Sequence, residues 1–529
     1  MGWQSGLRRA FMGLIAACAL FAHPARAQES LTIPVTGGAV TGAASGDLES
    51  WLGIPYAAPP IGRLRWQPPQ AVTAWQVPLK ATTLPSSCAQ NADLGIFARP
   101  GGSEDCLYLN VYRSKSASAS NAKLPVFVWI HGGSLWVGQG GDYDPSKMAE
   151  RGKSVVVTFN YRLGNFGFFA HPAIDREGHD FANYGLLDQQ AALNWVQKNI
   201  AAFGGDSNNV TIAGESSGGI SVMLHIASPA SAGKFQYAIA MSGGAVMLRY
   251  PAFGAPRPLA AAEETGVAFA RAVGCPPDDA DCLRALPTKR ILDAQTPYLI
   301  NAVIIDGSVM PLHPADIYRA GSINPVTLIA GNTRDEGRFF VGLAENATGK
   351  PMTAADYPTW LERFYGKSLA RRVLREYPLD QYDSPSEAYA AANTDSLFAC
   401  PGHEMGRLLV AKMPLHFYEF SDGTAPSYLA PTTFPLLAAH TYELSYIFPG
   451  FRGAADTVAA LNPFQENLSD AMIDYFSQVS KISGKNSDWP RFDPMRDNIM
   501  SFSPPSPIMK YGIFSQYHHC DFWDVTGLY

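Results

Sequence analysis

The 529-residue chain contains no internal repeat, no low-complexity tract and no long run of a single charge. These absences argue against an array of small units and for one large domain carrying insertions. No basic cluster is present and the formal net charge is −6, which leaves no footprint for nucleic acid. No Cys-x-x-Cys pair occurs, so neither a metal site nor a redox pair is expected, and nothing in the sequence asks for a cofactor. The apolar stretch from Ala10 to Ala22 is shorter than the roughly 20 residues that cross a bilayer, so no membrane span is expected.

That stretch reads instead as an export signal. Arg8-Arg9 precede it, and Ala25-Arg26-Ala27 has the small-residue form of a signal-peptidase site. Residues 1–27 are therefore expected to be a leader and 28–529 the folded domain, which places the protein in the periplasm or outside the cell. Arg8-Arg9 before Ala10-Phe11 also has the form of a twin-arginine signal. Ile15-Ala16-Ala17-Cys18 has the form of a lipoprotein cleavage site, but the apolar run continues past Cys18, which favours removal of the whole leader. Of the seven cysteines, Cys88, Cys106, Cys275, Cys282, Cys400 and Cys520 remain. An even number in an exported chain reads as disulfides, and spacing alone does not choose their connectivity.

From Leu31 to about Leu109, short β-like runs alternate with Pro/Gly-rich turns. Leu124–Ile130 is nearly continuously apolar, the mark of a strand buried on both faces, and Ser154–Phe159 is a second such run. Tyr184–Phe203 sets Leu186, Leu187, Ala191, Leu193, Val196 and Ile200 at helical spacing. Further strands are expected at Tyr237–Met241, Val326–Ala330 and Leu415–Phe420. Buried strands alternating with helices predict an α/β fold with a mainly parallel sheet covered on both faces. Ligands of such sheets bind beyond the carboxyl ends of the strands.

At one such end stands Gly214-Glu215-Ser216-Ser217-Gly218, with the β-branched run Asn209–Ala213 before it and Gly219–Ile226 after it. A serine centred in Gly-x-Ser-x-Gly between strand and helix is the nucleophile elbow of α/β-hydrolases. The glycines flank Ser216 symmetrically, whereas Ser217 would have Glu215 where the first glycine belongs. Ser216 is thus the candidate nucleophile, and the Ser217 N–H an oxyanion donor. Its helix N-terminus favours developing negative charge. At the end of the Leu124 run, His131-Gly132-Gly133-Ser134 offers the Gly132 and Gly133 N–H groups, which no side chain screens from a substrate oxygen.

Three further stretches carry a resemblance: Glu104-Asp105-Cys106-Leu107-Tyr108-Leu109-Asn110-Val111, Asn183-Tyr184-Gly185-Leu186-Leu187-Asp188-Gln189-Gln190 and Phe203-Gly204-Gly205-Asp206. From about Gly53 to Phe502 the chain resembles the type-B carboxylesterases, the family that includes cholinesterases and bacterial p-nitrobenzyl esterases. The resemblance implies an α/β-hydrolase fold with large loop insertions. It also implies a Ser-His-Glu triad, in which Glu336, within Gly331–Gly337, supplies the acid and His440, within Ala439–Tyr446, the base. Asp335 and Asp306 are alternative acids; His416, His518 and His519 lie outside the matching motif.

The same resemblance implies the pairs Cys88–Cys106, Cys275–Cys282 and Cys400–Cys520, and buried polar groups behind the site at Ser242 and Asp395. The sequence departs from the family at Ser134, where many relatives have glycine, and at Ser217, usually alanine. The Cys88–Cys106 loop holds no tryptophan, which argues against cation–π capture of quaternary ammonium there. Trp136 and Phe166–Phe169 are candidate pocket residues, and Arg99, Arg334 and Arg338 candidate contacts for acidic substrates. The expected function is hydrolysis of a small-molecule carboxylic ester by an exported serine esterase. Alternatives are a specialised xenobiotic or natural-toxin ester, such as a polycarboxylate ester, and a non-catalytic cholinesterase-like binding protein. Motifs are nearly silent on the leaving group.

Overall fold

The computed structural model describes residues 31–529 except 92–98, 119–122, 251–253, 454 and 483–487; the leader expected over 1–27 lies outside the described residues. Eleven strands form the main sheet. In chain order they are β1 (Ala43–Ser45), β2 (Leu48–Pro55), β3 (Tyr108–Ser114), β4 (Leu124–Ile130), β5 (Val155–Phe159), β6 (Gly205–Glu215), β7 (Tyr237–Met241), β8 (Thr327–Thr333), β9 (Leu415–Phe420), β10 (Asn498–Phe502) and β11 (Ile508–Tyr511). Their spatial order is β11-β10-β9-β8-β7-β6-β4-β5-β3-β2-β1. The run from β10 through β5 is parallel. Both margins are antiparallel.

The near-continuous apolar runs follow from double burial. On β4, Val126, Val128 and Ile130 enter one hydrophobic cluster, and Phe127 and Trp129 point into the other. Because strand side chains alternate faces, a strand between two helical layers must be apolar at every position. The layer on the first face includes α1 (Tyr184–Asn199), with Leu193 and Val196, and α2 (Ser217–Ala227), with Val222 and Met223. Met472, Ile473 and Phe476 of the Pro463–Ser477 helix cover the other face. Disulfides join Cys88 to Cys106, Cys275 to Cys282 and Cys400 to Cys520, the pairs the resemblance implies. No helix among the described residues is long and apolar enough to cross a membrane.

Adjacent β8, β7, β6 and β4 deliver their following residues to one edge of the sheet. Backbone bonds fix the steps between them: Ser216 N–H donates to Met241 O at 2.9 Å, and Ser242 N–H to Gly331 O at 2.8 Å. Four chain segments far apart in sequence are thereby held side by side.

Candidate active site

Ser216 sits between β6 and α2 with φ 58° and ψ −124°, a conformation an L residue adopts only when its surroundings over-determine it. The flanking glycines are a steric requirement here. A methyl on Gly218 would lie 2.1 Å from the Ile130 carbonyl oxygen, and one on Gly214 would lie 2.5 Å from the Gly218 carbonyl carbon. Strand β4, the elbow and α2 pass at backbone contact, which presses the serine side chain outward.

Glu336 opens helix α3 (Glu336–Thr348) directly beyond β8 and is fully buried. Its Oε1 accepts the Ser242 hydroxyl at 2.6 Å and the Thr333 N–H at 2.8 Å. Its Oε2 is bonded to His440 Nδ1. Two donors on one oxygen leave the other aimed at the imidazole and fix the tautomer that keeps Nε2 free of its proton. The ring is enclosed by Phe340, Phe398 and Phe339, with centroids 5.0, 5.1 and 5.9 Å away. His440 Nε2 lies 3.2 Å from Glu215 Oε1. Burial, with the carboxyls of Glu443 and Glu336 nearby, raises the Glu215 pKa well above the usual carboxylate range. The same burial that raises it disfavours a negative charge on Glu215 beside the imidazole.

Gly132 and Gly133 border the cavity into which Ser216 and His440 open. His131, whose imidazole burial pushes down to about 4, pairs through Nδ1 with Gly132 O at 2.8 Å. Tying that carbonyl back turns the Gly133 N–H of the same planar peptide the opposite way. The Tyr161 hydroxyl donates to His131 O at 2.8 Å, and its ring stacks on the imidazole. Ser217 contributes more than a backbone amide: its hydroxyl accepts the Leu135 N–H at 3.1 Å, bracing a turn in which Ser134 and Leu135 both have positive φ. The serine in the usual alanine position is thus a strut between the elbow and the glycine loop.

The cavity has a volume of ≈ 70 Å³. Its apolar wall is Tyr143, Phe339, Phe340, Leu343, Leu444 and Phe451, and Ser134, Asp142 and Glu215 are its other polar residues of note. None of the apolar wall residues is singled out by the sequence, whereas Ser134 is. A signal was present for two: Phe339 and Phe340 follow Glu336 by three and four positions, on one face of α3. Trp136 and Phe166–Phe169 are not among the lining residues. Phe166, Phe168 and Phe169 belong to the core, where Phe169 stacks on Trp66 at 4.8 Å.

Other expected residues lie elsewhere. Arg334 and Arg338 border a separate polar cavity of ≈ 540 Å³ and pair with Glu419 and with Asp335 and Glu387, so they do not face the serine. Arg99, by contrast, is largely exposed but pairs at 3.4 Å with Asp142, which borders the serine cavity. Ser242 touches Glu336, whereas Asp395 is engaged with His518 Nδ1 at 2.6 Å and the Tyr377 hydroxyl at 2.7 Å. Asp306 is tied to Asn183 and two backbone amides. His416 is held by Pro490 O against Trp489, and His519 pairs with Glu376.

An elbow serine, a histidine and a buried carboxylate at the carboxyl edge of a doubly covered parallel sheet define an α/β-hydrolase. The Carboxylesterase family profile matches residues 29–523. The chain is similar to the para-nitrobenzyl esterase of Bacillus subtilis (strain 168), 33% identical over 477 residues, 86% of this chain and 91% of that one. It is also similar to the fumonisin B1 esterase of Sphingopyxis macrogoltabida, 34% identical over 491 residues, 88% of this chain and 85% of that one. Among solved structures, a thermophilic PNB esterase superposes with a TM-score of 0.77 at 30% identity, covering 93% of this chain and 99% of that one. The chain belongs to the carboxylesterase family. It is a carboxylic-ester hydrolase.

Proposed function

We propose that this enzyme is an exported serine carboxylesterase working through an acyl-enzyme on Ser216. His440 Nε2 takes the hydroxyl proton as Ser216 Oγ attacks the ester carbonyl, and the Gly132, Gly133 and Ser217 N–H groups receive the oxyanion. His440 then protonates the leaving alcohol, and water repeats the sequence on the acyl-enzyme. Glu336 stabilises the transient imidazolium without taking its proton. Apo hydrogen bonds at such sites are often loose and tighten with substrate, so His440 Nε2 is expected to turn from Glu215 to Ser216 in the complex.

The observation that carries this reading is the fixed Ser242–Glu336–His440 chain opening onto the same cavity as the elbow serine. Ser216→Ala should reduce kcat by roughly 10⁴-fold or more with the thermal transition retained. A fluorophosphonate should label the wild type once, on Ser216. An alanine variant that keeps one hundredth of the wild-type kcat would falsify the assignment. Export is supported by the leader-like residues 1–27 together with the disulfides, which persist in oxidising compartments. N-terminal sequencing of the native protein checks it: Gln28 is the expected first residue, and an intact Met1 rejects it.

A further inference from the structure

The turn that carries His440 is strained on both sides. Leu437 has φ 52° and Thr441 φ 73°, the left-handed region that branched side chains avoid. Such a turn persists only where something outside it holds it. Between the strained residues lies Ala438, bonded in both directions to one residue. The Asp335 N–H donates to Ala438 O at 2.9 Å, and the Ala438 N–H donates to Asp335 Oδ2 at 3.2 Å. Asp335 immediately precedes Glu336 and occupies the N-cap position of α3 without a side-chain capping bond, so its carboxylate is left for the turn. One dipeptide therefore holds the His440 turn through its first carboxylate and the imidazole through its second.

The other oxygen of Asp335 faces outward. Oδ1 lies 3.6 Å from Arg338 Nε, and Asp335 borders the ≈ 540 Å³ polar cavity, whose walls are not those of the serine cavity. Arg338 is itself shared with Pro435 O at 2.5 Å, three residues before Ala438, and with Glu387 at 3.5 Å. The charged and titratable groups around Asp335 are Arg334 and Arg338 from its own segment, Glu387 behind Arg338, and His518 and Tyr517 from the C-terminal segment. Asp395 and His519 close the far side of the cavity. Burial pushes the Asp335 carboxyl up to about 6, against the pull of Arg338 and the Ala438 amide.

We infer that Asp335 is a positioning residue for acyl transfer: its side-chain oxygen accepts the Ala438 N–H and so pins the strained turn that places His440. The inference rests on His440 being the base of the proposed triad. Loss of the acceptor leaves Ala438 N–H unpaired beside strained backbone, and a displacement near 1 Å at a catalytic group costs about 10²-fold in rate.

Asp335→Ala should therefore lower kcat by roughly 10- to 100-fold with KM within about threefold. In Asp335→Asn, the amide oxygen still accepts from Ala438 but no longer titrates, so kcat should return to within about threefold of wild type. Wild-type kcat in the alanine variant overturns the inference. So does an asparagine variant that keeps its thermal transition yet loses tenfold or more in kcat, and that result decides even where the alanine variant does not fold. Ser216→Ala measured alongside separates the two readings: activity surviving there removes the triad, whereas activity lost there but untouched at residue 335 removes only the clamp.

Discussion

Individual side chains set what can be acylated onto Ser216. The cavity beside it is small, at ≈ 70 Å³, against about 300–1,000 Å³ for common ligand sites. Its described lining carries no lysine or arginine, and its carboxyls, Asp142 and Glu215, are both raised by burial. A neutral, short acyl group fits these walls; an anionic one would be desolvated there without a partner. kcat/KM should accordingly fall from acetate and butyrate esters to long-chain esters, and fall further for esters of polycarboxylic acids. The opposite order in a p-nitrophenyl ester panel, with the polycarboxylate best, would reject this account and favour the specialised-ester alternative.

At the scale of elements, legibility followed local constraint. Leu124–Ile130, Tyr237–Met241 and Leu415–Phe420 form strands with the limits expected, because burial on both faces leaves an unbroken apolar run. Thr327–Thr333 runs three residues past the expected end at Ala330, since Gly331-Asn332-Thr333 pairs with β9 despite being polar. Helical spacing over Tyr184–Phe203 resolves into α1 and a short 3-10 turn at Ile200–Phe203 that Gly204 closes at φ 85°. Ser216 was legible because an elbow needs glycines at fixed offsets. His440 was not legible from periodicity, because it sits in an irregular turn held by distant partners, and only the resemblance pointed to it. Most of the cavity wall is hidden for the same reason: Tyr143, Leu444 and Phe451 meet through tertiary packing, and the aromatic run Phe166–Phe169, equally suitable by composition, does not line the cavity.

At the scale of the molecule, the C-terminal segment is fastened to the sheet by charge as well as by the Cys400–Cys520 bridge. His518 is buried between Asp395 at 2.6 Å and Glu419 at 3.0 Å. Burial opposes its charge, but the two carboxylates prevail and lift the imidazole up to about 10. Burial likewise opposes charge on Glu419, yet His518 and Arg334 bring that carboxyl down to about 2. A raised histidine contributes its full stability below the unfolded value of 6.5 and loses it as pH climbs through 10. A depressed glutamate contributes above 4.5 and loses it as pH drops through 2. The His518–Glu419 pair is therefore strongest between pH 4.5 and 6.5. Replacing His518 by Gln should cost about 3–5 kcal/mol in that window, the penalty for leaving buried charge unpaired. The gap from wild type should narrow steadily toward pH 10 in denaturant titrations; a gap constant across that range would show that His518 is not held as a cation.

The lack of lysine and arginine among the described residues lining the Ser216 chamber also has a bearing on turnover. Hydrolysis converts an uncharged guest into a carboxylate, and that newborn anion finds no lysine or arginine among the described wall residues, within a protein of net charge −6. Expulsion is built into the chemistry, so added free acid should leave the steady-state rate nearly unchanged while the matching alcohol competes.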